Sequence, residues 1–199
     1  MYAKSPLTMA RRTKEEAFET RNLLLDAAER IFLEQGVSRT TLADIAAAAG
    51  LTRGAIYWHF KNKMDLFDAM CERVRLPMEA LAEACESEEE PDPLTRIREL
   101  ATLALTESVR NPRRRRVLSI LFHKCDFGPG MEPICERRQA TYIDGTQRLQ
   151  RGLDNVVAKR QLPATLDTRK AAVMLHAYLN GLIANWLFMP GNFDLDSNA

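Results

Sequence analysis

The sequence predicts an all-α fold in which three short helices near the N-terminus are followed by a series of longer ones. Apolar residues recur at the three- and four-residue spacing of helices along most of the chain, and no segment alternates as a half-buried strand does. Polar residues that suit helix N-caps precede most of these periodic segments, and Gly or Pro follows them. These observations indicate helices joined by short connections.

The first predicted helix begins at Thr13, which forms a capping-box pattern with Glu16. Its apolar residues repeat every three or four positions until Gly36, a residue that commonly ends helices. The residues before Thr13 show no such pattern. We therefore predict a disordered N-terminal arm over residues 1–12.

Three further capping patterns define the next helices. They are Thr41 with Asp44, Thr52, and Asn62 with Asp65. The second predicted helix is rich in Ala and ends at Gly50, the third runs from Arg53 to about Phe60, and the fourth from Lys63 to about Cys85. Their short connections indicate one compact three-helix unit followed by a long helix.

The later helices are separated by segments that contain Pro or Gly. These segments are residues 87–93, 111–112, 127–130, 162–163 and 190–191. In the first of them, Asp92 and Pro93 suit the N-cap and the first position of a fifth helix. We predict two folded units after the arm, over residues 13–62 and 63–199.

Composition is that of an ordinary globular protein. The chain has 199 residues, of which 46% are apolar and 28% charged, with a net charge of +1. Through Lys63 there are 10 Lys and Arg against 7 Asp and Glu, so the N-terminal part is slightly basic. No secretory signal or long apolar run is seen, and the four Cys form no CxxC pair. We therefore predict a cytoplasmic protein with reduced thiols and no membrane span.

Residues 40–63 have the pattern of a helix-turn-helix. Small residues at 46–49 allow two helices to pack closely, and Gly50 can make the sharp turn between them. In such a motif the second helix is free to enter the major groove of DNA with its N-terminal residues leading. We therefore predict that residues 13–62 form a helix-turn-helix DNA-binding domain, whose small core is filled by Leu42, Ile45, Leu51 and Ile56.

Roles on the predicted DNA-binding helix follow from residue type. Arg53 at its start can reach a base edge, Gly54 allows the backbone to approach closely, and Ala55 can touch a thymine methyl group. Tyr57 and His59 can donate hydrogen bonds to phosphates. Packing is the alternative for the aromatic residues. The full predicted DNA-binding set is Thr41, Thr52, Arg53, Gly54, Ala55, Tyr57, Trp58, His59 and Lys63.

Residues 52–63, which read Thr-Arg-Gly-Ala-Ile-Tyr-Trp-His-Phe-Lys-Asn-Lys, resemble the signature of the TetR family, and within it the AcrR-type repressors of multidrug efflux pumps. Residues 121–127, 181–188 and 193–195 resemble the ligand domain of that group. The resemblance implies a homodimeric repressor that binds a near-palindromic double-stranded DNA operator. Family members usually carry a further C-terminal helix at the dimer interface; either a truncated chain or a smaller interface would explain a sequence that ends at Ala199.

The resemblance also implies a mostly apolar cavity within residues 63–199 that binds hydrophobic small-molecule inducers. Such a cavity, with few polar anchors, suits varied ligands. Ordinary core packing is the alternative for roughly half of the residues assigned to it. The predicted ligand-binding residues are Ile97, Leu100, Ala104, Leu118, Phe122, Tyr142, His176, Leu179, Asn180 and Ile183.

Other functions find less support in the sequence. The alternative to an efflux-pump repressor is a TetR-type repressor that controls a metabolic operon and responds to one specific inducer. No nucleophile elbow, phosphate-binding Gly loop or metal cluster occurs, so no catalytic residue, metal or cofactor is predicted. His123, Cys125 and Cys135 are expected to be helix residues rather than a metal or redox sensor. Residues 113–116, a run of four Arg, are expected to form a solvated helix start.

Overall fold

The computed structural model describes the backbone of residues 6–126, 128 and 130–196, and the side chains of residues 14–75, 78–126, 128 and 130–196. These residues form eight α-helices and no strand, which confirms the predicted all-α fold. The helices are α1 (Pro6–Gln35), α2 (Leu42–Ala48), α3 (Arg53–His59), α4 (Lys63–Glu86), α5 (Pro93–Arg110), α6 (Pro112–His123), α7 (Glu132–Ala158) and α8 (Thr168–Phe188).

Helix α1 begins earlier than the capping pattern at Thr13 predicts. It starts at Pro6, so Thr13 lies inside the helix and the predicted start is wrong. Residues 6–12 of the predicted arm form the first turns of α1, while residues 1–5 lie outside the described residues. The physical reason is local, because Pro is preorganised for a first helical position and the Leu, Met, Ala and Arg that follow are good helix formers.

The other predicted N-caps are formed. In the capping box of α2, the Thr41 hydroxyl accepts a hydrogen bond from the Asp44 amide (3.2 Å), and the Asp44 carboxylate accepts one from the Thr41 amide (2.8 Å). The remaining caps accept from Ala55, Asp65 and Thr95 through the side chains of Thr52, Asn62 and Asp92. Helices α2 to α5 therefore begin where local sequence signals place them.

Two glycines end the first two helices in a conformation that a side chain would strain. Gly36 after α1 has a φ of 86° and Gly50 after α2 has a φ of 69°. Both values lie in the left-handed region that favours glycine. Gly36 also brings the chain to α6, since the next amide, that of Val37, donates to the Lys124 carbonyl (3.0 Å).

The largest hydrophobic core joins the N-terminal helices to the start of the predicted second unit. Leu24, Phe32, Ile45 and Ile56 of α1 to α3 are fully buried in it. The same core contains residues of α4, α6 and α7, namely Leu66, Phe67, Met70, Val117, Ile120 and Ile134. The boundary at 62/63 stays a prediction about folding units, but packing is continuous across it.

Helices α4, α5, α7 and α8 enclose the remainder of the molecule around two smaller cores. Helix α8 buries only Ala172 and Ile183 fully and leaves large apolar side chains such as Met174 and Tyr178 exposed. Among the described residues, α8 is also the one helix long and apolar enough to cross a membrane by length and composition. Helix α8 packs more extensively against α7 than against any other helix.

Candidate DNA-binding and ligand-binding sites

Helix α3 is fixed on one side and exposed on the other. Ile56 and the following Phe60 are buried in the large core, which anchors the helix. Arg53, Tyr57 and Trp58 point away from that core and are exposed. The structure thus places the predicted base-contacting side chain on the free face of the predicted recognition helix.

The exposed face of α3 carries aromatic side chains that the core does not use. Trp58 is 74% exposed and Tyr57 is 48% exposed, so packing alone does not account for either. The Arg53 guanidinium lies 5.7 Å from the centre of the Tyr57 ring, which holds it near the start of the helix. An aromatic and cationic surface of this kind suits contact with a DNA backbone.

His59 lies at the edge of this face, half-buried and edge-on to Trp58, with 4.7 Å between the ring centres. Burial lowers the pKa of the His59 imidazole, and the positive charge of Arg21 lowers it further. The ring is therefore neutral at pH 7, and any phosphate contact it makes would use one N–H group rather than a positive charge.

Space is available at Gly54, where the backbone of α3 is predicted to approach DNA closely. Gly54 is exposed, and a Cβ there would meet only the Thr52 hydroxyl, at 3.9 Å. Ala55 beside it is half-buried, and Thr41 is exposed at the start of α2. Thr41 is occupied as a cap, since its hydroxyl and amide both bond to Asp44.

Lys63 has a role in this structure that the sequence did not indicate. Its ammonium group donates hydrogen bonds to the carbonyls of Val37, Ser38 and Thr40, at 2.9, 3.2 and 3.1 Å. These bonds use all three donors and hold the α1–α2 connection on α4. Burial lowers the pKa of Lys63. A phosphate contact by Lys63 remains a prediction, and it requires exchanging at least one of these bonds.

Two adjacent cavities lie between the helices that follow the DNA-binding unit. We call the one between α4, α6, α7 and α8 the proximal cavity, because α6 contacts α1; its volume is about 440 Å³. The distal cavity lies between α4, α5, α7 and α8 and has a volume of about 250 Å³. Arg75, Thr141 and His176 line both cavities and mark where they meet.

Nine of the ten predicted ligand-binding residues line these cavities. Ile183 does not, because it is buried in a separate core against α5 and the C-terminal segment. Its place on α8 sets it apart, since His176 and Leu179 face the cavities from the same helix. The distal cavity is lined by Ile97, Leu100, Ala104 and Leu179. The proximal cavity is lined by Leu118, Phe122, Tyr142 and Asn180, and His176 lines both.

His176 is held between its neighbours at the junction of the two cavities. The Asn180 amide nitrogen lies 3.0 Å from His176 Nδ1, and the Tyr142 ring stands edge-on to the imidazole with 4.9 Å between centres. The same amide nitrogen lies 3.3 Å from His176 Nε2, so both ring nitrogens are within hydrogen-bond distance of Asn180. Burial lowers the pKa of His176, so the ring is neutral at pH 7.

Sequence reasoning missed the charged residues of the cavity walls. Arg75, Glu79 and Arg148 line the distal cavity, and Arg137 and Arg138 line the proximal one. Their spacing on α4 and α7 also fits an ordinary solvated helix face, so no local signal separates them from surface residues. The packing of α4 against α7 brings them to the cavity walls, where Arg75 and Arg137 remain about half exposed.

Two protein-family models match the chain. "Bacterial regulatory proteins, tetR family" matches residues 24–70, and "MAATS-type transcriptional repressor, C-terminal region" matches residues 92–199, more than half of the chain. The chain belongs to the TetR family. The resemblance seen at residues 52–63 is thereby confirmed.

Individual TetR-family relatives align with nearly the whole chain. The transcriptional regulator TtgR of Pseudomonas putida is 48% identical over 94% of this chain and 89% of its own length. AcrR of Shigella flexneri is 42% identical over 96% of this chain and 89% of its own length. The solved structure of NalD, described as the secondary repressor of the MexAB-OprM multidrug efflux pump of Pseudomonas aeruginosa, has a TM-score of 0.81 and 38% identity. It is matched over 92% of this chain and 91% of the NalD chain.

In this TetR-family chain, a buried carboxylate connects the DNA-binding unit to the cavity-lining helices. Glu29 of α1 is fully buried and is bound by Arg73 of α4 (3.1 Å) and Arg116 of α6 (3.0 Å), with Arg113 at 3.5 Å. Burial raises the pKa of the Glu29 carboxyl, and the hydrogen bond from Arg116 and the charges of Arg73 and Arg113 oppose that rise. We call these four residues the Glu29 cluster.

The Glu29 cluster overturns the expectation for the run of four Arg at the start of α6. Two of them bind Glu29, and the buried Arg114 guanidinium donates to the Val74 carbonyl of α4 at 2.9 Å. The run does begin α6 and Arg115 is exposed, but the prediction of a solvated start is wrong for Arg114 and omits the ion pairs of Arg113 and Arg116. The ion pair between Arg116 and Glu29, which are 87 positions apart, explains why this run of arginines faces α1.

Proposed function

We propose that this TetR-family chain is a ligand-responsive repressor of a multidrug efflux operon in the cytoplasm. It binds operator DNA through α3 and leaves the operator when a hydrophobic small molecule fills the cavities. The observation that carries the proposal is the free face of α3, where Arg53, Tyr57 and Trp58 stay exposed on a helix anchored by its other side. The efflux assignment draws support from NalD, whose description names an efflux pump.

The proposed protein acts as a homodimer, and α8 supplies the surface. Helix α8 leaves several large apolar side chains exposed, and an accumulation of such side chains on one element is typical of an interface. Pairing of α7 and α8 with the same helices of a second copy would cover these side chains around a two-fold axis. The exposed residues that we assign to the interface are Ile143 of α7 and Val173, Met174, Tyr178 and Phe188 of α8.

A modest energy suffices for the proposed response. Two recognition helices must be about 34–36 Å apart to enter successive major grooves on one side of DNA. A ligand that favours a different spacing by about 1–3 kcal/mol weakens operator binding by roughly 5–150-fold. Helix α6 is suited to pass on such a change, since it lines the proximal cavity with Phe122 and contacts α1 through Arg116.

The first test is fluorescence-anisotropy binding of the full chain to DNA upstream of its own gene, repeated with a panel of unrelated hydrophobic antimicrobials. We expect salt-sensitive, sequence-specific binding that several compounds release. Release by one compound class alone would favour the metabolic-operon alternative. Specific binding released by no compound of the panel would contradict the sensing half of the proposal.

A variant pair tests the DNA-binding face. Arg53→Ala should weaken operator binding by about 1–3 kcal/mol and relax the preference at one base position. Tyr57→Phe should weaken binding to specific and unrelated DNA alike, as loss of a phosphate contact does. An Arg53→Ala protein with its sequence preference intact would refute the base-reading role of Arg53.

A further inference from the structure

The arginines that line the two cavities differ in how they are neutralised. Arg75 binds Glu72 (2.8 Å) and also Glu79, and Arg148 binds Glu79 (2.6 Å) and Glu86. Arg137 binds Asp68 at 3.1 Å. Each of these three guanidinium groups therefore already has a carboxylate partner.

Arg138 is the exception. It is half-buried in the wall of the proximal cavity and, within the part of the chain that the structure describes, no hydrogen bond, ion pair or ring contact engages its guanidinium. Two thiols lie near this guanidinium, Cys71 on α4 and Cys125 after α6. Burial raises the pKa of both thiols, and the positive charge of Arg138 lowers it. The free guanidinium thus lies between α4, α6 and α7.

The proximal cavity as a whole is left with a surplus positive charge. Its described walls contain the arginines 75, 137 and 138 against two carboxylates, those of Asp68 and Glu72, and His176 is neutral. The distal cavity is balanced, with two arginines against Glu79 and Asp144. A half-buried cation without a partner is costly, and an anion brought by a ligand would compensate it.

The wall beside Arg138 suits an apolar molecule. Leu118, Leu121 and Phe122 of α6 form one side of the proximal cavity. A guanidinium presents a planar set of donors that matches carboxylate and sulfonate oxygens. The cavity therefore offers an apolar surface together with one anion-binding group.

We propose that the proximal cavity binds amphipathic anions, with the apolar body of the ligand against α6 and its acidic group on the Arg138 guanidinium. This inference rests on the ligand-binding half of the proposed function and specifies the chemistry of the inducer. Within the proximal cavity, Arg138 is the group that distinguishes an acidic ligand from a neutral one of the same shape.

Two fluorescent probes with the same body isolate the acidic group. 8-Anilinonaphthalene-1-sulfonate and N-phenyl-1-naphthylamine share a phenylaminonaphthalene frame, and only the first carries a negative charge. Each is titrated into the full chain without DNA, so the result does not depend on operator binding. The proteins compared are the wild type, Arg138→Gln, Arg138→Lys and the control Arg98→Gln, which changes an exposed residue of α5 outside both cavities.

We expect the wild type to bind the sulfonate more tightly than the neutral amine. Arg138→Gln should weaken sulfonate binding about tenfold, the size of one charge-assisted hydrogen bond, and change amine binding less than about twofold. Arg138→Lys should restore part of the difference, and Arg98→Gln should change neither probe. Equal loss of both probes in Arg138→Gln, no loss of the sulfonate, or a wild type without preference for it would each overturn the proposal. Failure of operator binding in a separate assay would instead count against the repressor function.

Discussion

The unit around α1 to α3 and the cavity-lining helix α8 differ in how many of their apolar side chains are buried. Leu24, Phe32, Ile45 and Ile56 are fully buried in one core around α1 to α3. Helix α8, which lines both cavities, buries only Ala172 and Ile183. DNA recognition needs side chains held in one geometry, whereas varied ligands need space and side chains that adapt.

The two parts meet at α6, which belongs to both. On one side Arg113 and Arg116 bind the Glu29 carboxylate, and on the other Leu118 and Phe122 face the proximal cavity. A shift of α6 caused by a ligand must therefore move α1 or break the Glu29 cluster. Helix α6 is therefore the element through which a ligand in the proximal cavity could alter the position of the DNA-binding helices.

Among the substitutions that test this comparison, we expect loss of the Glu29 carboxylate to change the free energy of unfolding most. Glu29→Ala leaves three arginines around a buried void and should lower the free energy of unfolding by about 3–5 kcal/mol. Asp26→Ala is the matched control, since Asp26 also binds Arg73 (2.8 Å) and Arg113 (3.2 Å) but its side chain is 48% exposed, and we expect a loss of about 0–1 kcal/mol. Urea denaturation of both variants measures the difference. Equal losses would contradict the claim that the Glu29 cluster holds α1, α4 and α6 together.

A second pair of variants separates core from cavity. Ile183→Ala removes a fully packed side chain and should lower the free energy of unfolding by about 2–5 kcal/mol. Phe122→Ala enlarges a cavity that already exists, so it should cost less stability and change ligand affinity while ligand-free DNA affinity stays nearly constant. Thermal denaturation and anisotropy titrations test this, and loss of DNA binding in Phe122→Ala would mean that Phe122 is structural.

The smallest expected effect concerns His176 and pH. Burial lowers its pKa below the usual value near 6.5, so the unfolded chain takes up this proton at a higher pH than the folded chain. The contribution of neutral His176 to stability is thus complete above about pH 6.5 and is lost as the pH falls below it, by at most about 1.4 kcal/mol per pH unit.

Unfolding free energies between pH 7 and pH 5 check this dependence. His176→Gln should flatten the decline relative to the wild type, and His123→Gln, which changes an exposed histidine, should keep it. The half-buried His59 contributes a change of the same sign in all three proteins, so the difference between variants isolates His176. Identical slopes in His176→Gln and the wild type would show that the imidazole does not stay neutral in the folded chain.

Local signals explain which parts of the fold were predictable. The caps Thr41, Thr52, Asn62 and Asp92 each accept from the amide three residues further on, so the sequence alone places the starts of α2 to α5. The start of α1 was missed because Thr13 imitates a cap inside a run of good helix formers. Of the ten residues that the resemblance assigned to a ligand site, nine line the two cavities and their binding role stays a prediction, whereas Ile183 lies on α8 at a position that faces α5 and the C-terminal segment.

By itself, the sequence determined the class of the protein, the starts of α2 to α5 and the exposed face of α3, because these depend on neighbouring residues and on a recognisable twelve-residue motif. Tertiary structure alone decided where charges far apart in sequence meet. Glu29 meets Arg116 across 87 positions, Lys63 turns inward to three carbonyls, and Arg138 has no partner among the residues that the structure describes. The physical reason is that an ion pair depends on distance and burial in space, and neither is encoded in the spacing of residues along the chain.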